Sequence, residues 1–218
     1  DKQGILWIGT LNDGLWKCKF DGTTFKYNKI IPLNEREDAL AKISSLFVDN
    51  NGNVWVPTQS SGVWRTTSIN DYTYIKSKDV GIPQAVGASF CETDDGDVLM
   101  GTDGCGMVLL DSDFQVKRNI SGLSSNSVLT IVKEKDDYLI GYWGGESNRY
   151  NIKTGDISKI IYNGIENPRH TTKNICRMAD GAIYISAAGH GVYRGENGKW
   201  EKLVLTDSAM SNYPDVWV

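Results

Sequence analysis

The sequence predicts an all-β protein assembled from repeated antiparallel sheets, and three observations carry that prediction. A short block recurs five times, 40 to 48 residues apart. A turn-forming glycine keeps a fixed distance from it. No segment shows the sustained 3.6-residue apolar period of a helix. The block reads "LWIGT" at 6 to 10, "VWVPT" at 54 to 58, "VLMGT" at 98 to 102, "YLIGY" at 138 to 142 and "IYISA" at 183 to 187. Its anchors are Trp7, Trp55, Leu99, Leu139 and Tyr184. Units of this length with four strands each are the blades of a β-propeller.

Each unit follows from local physics. Three residues before the anchor stand Gly4, Gly52, Gly96 and Gly181, within Asp/Asn-rich turns such as "DNNG" and "TDDG". Asp and Asn side chains bond their own backbone and Gly supplies positive φ, so a hairpin is expected there. The upstream strands are read in "SSLFV" (44 to 48), "ASFCE" (88 to 92), "VLTIV" (128 to 132) and "NICRM" (174 to 178). The anchor strand follows; in "ILWIGT" both faces are apolar, which predicts a strand covered on both sides. Seven residues after the anchor a second glycine recurs as Gly14, Gly62, Gly106 and Gly191 and opens a third strand. Segments such as "TTFKYN", "YTYIKS" and "KWEKLV" supply the fourth. The stretch "NEREDALAKI" (34 to 43) is read as a short helical turn inside a loop.

In this register the chain is a single propeller domain over 1–218, with repeats 1–48, 49–92, 93–132, 133–177 and 178–218. The segment "PDVWV" (214 to 218) sits in phase with "SSLFV", so Val216 to Val218 would be the first strand of the sheet begun at residue 4. Two readings stay open: a closed ring of five blades, or five blades of a larger propeller. With no initiating Met and no basic-then-apolar leader, the chain reads as a mature or excised segment.

The blade pattern D-x-x-G-x-L/V-W-I/V-x-T … G-L/V-W-K/R resembles the two-component regulator propeller repeat. It is carried by Asp1, Gly4, Trp7, Ile8, Gly9, Thr10, Gly14, Leu15 and Trp16, and again by Asp49, Gly52, Trp55, Val56, Thr58, Gly62, Val63 and Trp64. The lead-in "GLSSNSVLTI" (122 to 131) resembles that of the same family. Repeat 4 departs from the pattern: Asp136 replaces the turn glycine, Tyr142 the threonine and Glu146 the second glycine. The resemblance implies a periplasmic or extracellular sensor segment of a hybrid two-component regulator. It would respond to glycans or oligosaccharides and signal to a histidine kinase elsewhere in the full-length protein. The alternatives carried with it are a secreted scaffold or protein-binding propeller without a kinase, and a glycan-active propeller enzyme.

Composition excludes other classes. A formal net charge of −4 removes the electrostatic term that dominates nucleic-acid binding, and no apolar run is long enough to span a bilayer. No membrane contact by this segment is expected. Cys18, Cys91, Cys105 and Cys176 form no CxxC pair, which argues against a zinc site; free, mostly buried thiols are expected. No cofactor, metal or catalytic residue is assigned. The partners expected are an oligosaccharide and either a second copy or a neighbouring propeller of the same chain.

The loops between the anchor strand and the next gather at one rim of a propeller. They are the candidate binding surface, through Asn12, Asp13, Gln59, Asp103, Tyr142, Trp143, Glu146 and His190. An exposed tryptophan beside carboxylates suits a sugar, by ring stacking and hydrogen bonds. Packing between blades is the competing reading of Trp143. Surface turn chemistry competes with a glycosidase pair for Asp13, Asp103 and Glu146.

Overall fold

The computed structural model describes residues 1–30, 42–59, 62–68, 71–75, 86–113, 115–161, 171–196 and 199–203. Most of the helical turn expected over 34–43, and the whole of 214–218, lie outside them. Among the described residues every element is a strand, and the strands form five antiparallel sheets. The first sheet is β1 (Ile5–Gly9), β2 (Leu15–Phe20) and β3 (Phe25–Ile30); the second is β4 (Phe47–Val48), β5 (Val54–Pro57), β6 (Val63–Ser68) and β7 (Asp71–Ile75). The third is β8 (Val86–Glu92), β9 (Val98–Asp103), β10 (Met107–Leu110) and β11 (Val116–Ile120). The fourth is β12 (Val128–Glu134), β13 (Asp137–Tyr142), β14 (Asn148–Asn151) and β15 (Ile157–Lys159); the fifth is β16 (Thr172–Arg177), β17 (Ile183–Ala187), β18 (Gly191–Glu196) and β19 (Lys199–Lys202). In every sheet consecutive strands are neighbours, the meander of a propeller blade. The anchors Trp7, Trp55, Leu99, Leu139 and Tyr184 all lie on the second strand of a blade, or on the first described strand in the first sheet.

The chain divides into two compact units, Asp1–Met100 with Val108–Asn119, and Gly101–Met107 with Ile120–Val218. In the first, Leu15, Ile30, Ile43, Val54, Val56 and Trp64 form a core with Trp7, Leu46 and Val48 packed against it. Phe90 of the third sheet stacks on Phe47 and tilts against Trp55, with ring centroids 6.0 and 5.6 Å apart. In the second unit, Leu139 and Ile160 pack against Ile175, Ile183, Ile185, Ala187, Tyr193 and Trp200 of the fifth sheet.

The repeat signature has a hydrogen-bonding cause. Asp49, buried beside its turn, accepts the Asn53 backbone N–H at 2.8 Å and the Trp55 indole N–H at 3.0 Å. Asp1 does the same for Ile5 at 2.8 Å and Trp7 at 3.0 Å. The anchors Leu99, Leu139 and Tyr184 have no indole, and the position six residues upstream is then Thr93, Lys133 or Met178 rather than Asp. The carboxylate is kept where there is an indole for it to hold. The threonine closing the block is scaffold too: Thr10, Thr58 and Thr102 each donate Oγ1 to the carbonyl of Gly14, Gly62 or Gly106, at 2.8 to 2.9 Å.

Two expectations are corrected. The first anchor strand is not covered on both faces: Trp7 turns inward, but Leu6 is 53% and Ile8 41% exposed. Strand pairing sets Leu6 beside Cys18 and Tyr27, Ile8 beside Trp16, and Phe20 beside Phe25, so the exposed side is a largely apolar sheet face, with Lys29 lying over Trp16 at one end. Among the described residues only one side of this sheet has a sheet packed on it, whereas all four residues of β5 are buried. The four cysteines are free, as expected, but only Cys18 is buried; Cys91 and Cys105 are half-buried and Cys176 is exposed.

Candidate functional site

The loops that follow the anchor strands are laced together by the strand entries beside them. In the second unit, the Trp143 backbone N–H donates to the Ser127 carbonyl at 2.9 Å, and Ser125 Oγ donates to the Trp143 carbonyl at 3.0 Å. Ser127 Oγ in turn donates to Asp103 Oδ1 at 2.6 Å. The backbone N–H groups of Gly104 and Gly106 both reach the Asn126 carbonyl, at 3.0 and 2.7 Å. A single segment, 125–127, therefore holds Asp103 and Trp143 in one surface. On the other side, Gly144 N–H donates to Thr171 Oγ1 at 3.3 Å and Ala188 N–H to the Thr171 carbonyl at 2.9 Å, which ties in the loop that carries His190.

Within this surface the candidate residues differ in availability. Trp143 is 56% exposed, and Asp103 is exposed with Ser127 as its partner. Glu146 has turned aside: its carboxylate is paired with Lys159 at 2.5 Å and its side chain is only 16% exposed. Tyr142 is fully buried and donates its hydroxyl to Asn148 Oδ1 at 2.8 Å, so it supports the loop from beneath. Burial pushes its hydroxyl pKa well above the usual tyrosine value. It takes the place of the threonine bond seen in three other repeats. His190 is half-buried, its carbonyl accepting the Tyr193 hydroxyl at 3.3 Å.

In the first unit, Lys42 joins two of the loops: its N–H donates to the Leu11 carbonyl at 2.8 Å and its carbonyl accepts the Gln59 N–H at 2.9 Å. Asn12, Asp13 and Gln59 are exposed. Asp13 is not free, because Lys29 Nζ lies 2.7 Å from its carboxylate. That hydrogen bond holds the Asp13 carboxyl below its usual pKa. Lys29 also lies over the Trp16 ring at 5.9 Å.

Chemically, an exposed indole and an exposed carboxylate whose loops are tied to the same segment offer a stacking face and an acceptor, the two kinds of contact a sugar ring uses. Hydrolysis of a glycosidic bond needs two carboxylates facing across it, and here the Glu146 carboxylate is turned to Lys159. Among the described residues no cluster of three metal-ligating side chains occurs, and no helix is long and apolar enough to cross a membrane. Reasoning from sequence missed Ser125, Ser127 and Thr171; the signal available was the Ser/Asn-rich lead-in "GLSSNSV".

No protein-family profile and no curated protein sequence matches the chain. Solved structures do. The extracellular domain of a B. thetaiotaomicron hybrid two-component system aligns with a TM-score of 0.71 at 18% identity, over 94% of this chain and 27% of that one. The extracellular domain of a one-component system from the same organism gives 0.72 at 15% identity, over 95% of this chain and 30% of that one. Virginiamycin B lyase from Staphylococcus aureus gives 0.73 at 17% identity, over 94% of this chain and 69% of that one. The chain thus spans less than a third of the two extracellular domains it matches. At these identities the likeness is one of fold. The fold that the repeats predict is shared with extracellular domains of the kind the sequence resemblance names, and also with an enzyme.

Proposed function

We propose that this chain is a non-enzymatic, ligand-sensing propeller segment from the extracytoplasmic region of a hybrid two-component regulator, and that it binds an oligosaccharide at the rim around Trp143. The observation that carries the reading is the exposure of Trp143 where repeat 4 breaks the pattern, with Asp103 bonded to Ser127, the residue whose carbonyl accepts the Trp143 N–H. Ring stacking on the indole would supply the apolar contact, and Asp103 would accept from ring hydroxyls. Asn12, Asp13, Gln59, Glu146 and His190 belong to the equivalent loops, and Tyr142 positions its loop from below. The structural likeness to extracellular domains supports placement outside the cytoplasm, and the displacement of Glu146 towards Lys159 favours binding over hydrolysis. Titration of the extracytoplasmic region with a panel of neutral oligosaccharides tests this. Saturable binding abolished by Trp143→Ala is expected; binding that Trp143→Ala leaves untouched overturns it.

The exposed apolar face of the first sheet supports a second element of the proposal: these five sheets are blades of a larger propeller, and a further four-stranded sheet of the same protein covers Leu6, Ile8, Phe20, Phe25 and Tyr27. Contiguous apolar patches of this kind mark contact surfaces. A chain extended by its flanking sequence should lose binding of an apolar dye that the 218-residue chain shows. Undiminished dye binding would refute the larger propeller.

A further inference from the structure

Repeat 4 breaks the pattern at its other end as well, beside a cavity away from the rim. The turns 50–52, 94–96 and 179–181 each place three residues between backbone-bonded partners, Asp49 and Asn53, Thr93 and Asp97, and Met178 and Ala182, and end in a glycine at positive φ. The β12–β13 hairpin has only Lys135 and Asp136 between the paired Glu134 and Asp137. A two-residue hairpin demands a left-handed backbone, which Gly and Asn supply; here Lys135 adopts it, at φ 58°. Such an outlier is a reason to look for function.

Lys135 stands at the edge of a cavity of about 530 Å³ between the fourth and fifth sheets, inside the second unit, and within the size range of ligand sites. Its floor is Trp200, buried and lying so flat on Gly195 that a Cβ there would come within 2.5 Å of the ring. Ile161, largely exposed, forms part of the wall. Most of the charges lining it are spoken for: Arg149 pairs with Glu134 and Asp137, Lys159 with Glu146, and Glu196 with Arg194. Among the described residues Lys135 and Arg177 have no partner, and Asp180 bonds only through Oδ1, which accepts the Ala182 N–H at 2.9 Å. Two uncommitted cations, a carboxylate with a free oxygen and an apolar floor are the complement of a zwitterion with an apolar side chain.

We propose that this cavity binds an amino acid or short peptide, with its carboxylate at Arg177 and Lys135, its ammonium at Asp180 and its apolar side chain over Trp200 and Ile161. The site is independent of the rim, so Trp143→Ala leaves it intact.

Calorimetric titration with L-leucyl-L-leucine, its N-acetyl derivative and its C-terminal amide tests this. Saturable binding of the dipeptide is expected, at least fivefold weaker for either blocked form. Arg177→Ala should weaken the dipeptide at least fivefold and leave the amide unchanged. Asp180→Asn should weaken the dipeptide and leave the N-acetyl form unchanged. Lys135→Asn is the decisive variant, because Asn suits the turn: it should raise Tm while weakening the dipeptide, which a purely structural lysine would not do. No saturable binding, equal binding of the blocked forms, binding unchanged in Arg177→Ala and Lys135→Asn, or binding lost in Trp143→Ala would each overturn the proposal.

Discussion

Replacing Trp55 by Phe tests the account of the repeat signature, because the same bond occurs twice in two settings. Trp55 is 2% exposed, and its indole N–H reaches Asp49, itself buried, at 3.0 Å. Trp55→Phe deletes a hydrogen bond to a charged acceptor, about 1.5–3 kcal/mol when the partner stays buried. The smaller ring removes further apolar burial, about 1 kcal/mol at ~25 cal/mol per Å². Arg65, 5.8 Å from the Trp55 ring centroid, keeps an aromatic face in the variant, so little more is lost there. A loss of about 2.5–4 kcal/mol is expected for Trp55→Phe. Trp7 makes the same 3.0 Å bond to Asp1, but Asp1 is exposed, so water replaces the lost donor. Trp7→Phe should cost about 1 kcal/mol or less, in the range of exposed charged contacts. Urea unfolding of both variants gives the comparison. A double-mutant cycle of Trp55→Phe with Asp49→Ala should return a coupling of at least about 1 kcal/mol. Equal costs at the two sites, or no coupling between Trp55 and Asp49, would refute the claim that the carboxylate is kept for the indole.

Three further outcomes follow from particular contacts. Thr102→Val removes the Oγ1 bond to the Gly106 carbonyl, at 2.8 Å and fully buried, and should lower stability by about 1–2 kcal/mol in chemical denaturation. Gly195→Ala drives a methyl into the Trp200 ring, which a Cβ would approach to 2.5 Å, and should cost about 1–3 kcal/mol, read as a lowered Tm and a changed Trp200 fluorescence. Asp13 has a folded pKa below its unfolded one because of Lys29, so its contribution to stability is present above the unfolded carboxylate range and is lost as pH falls through the folded value. Lys29→Met should raise the Asp13 pKa in a carboxyl NMR titration and remove that acid-range dependence.

What was legible in the sequence was whatever a few consecutive residues decide. Turn glycines, anchor strands and their spacing depend on local φ and on side-chain bonds across six residues, so the repeats register with the sheets from Gly4 to Tyr193. The Asp–Trp linkage left a trace that the repeat reading passed over: Asp stands six residues before the anchor only where the anchor is Trp, and the bonds between them give the reason. Burial was less readable, because it depends on which surface faces the strand: Leu6 and Ile8 carry the pattern of a covered strand, yet one face of their sheet is open. The candidate site shows the same division. The rim loops follow from the repeat, but whether a carboxylate points outward is set by distant partners. Lys159 takes Glu146 from across its sheet, Lys29 takes Asp13, and Ser127 joins Asp103 to the Trp143 loop. Tyr142 takes the place of a threonine in the repeat, and only the position of Asn148 shows that its hydroxyl is spent inside.

The central claim is that the rim where repeat 4 departs from its pattern holds a saccharide without cleaving it. A crystal structure of the extracytoplasmic region grown with an oligosaccharide that binds saturably tests this most directly. The account predicts an intact oligosaccharide with a sugar ring stacked on Trp143 and a hydroxyl within hydrogen-bond distance of Asp103. A saccharide bound away from that rim, or a cleaved product in it, would contradict the account.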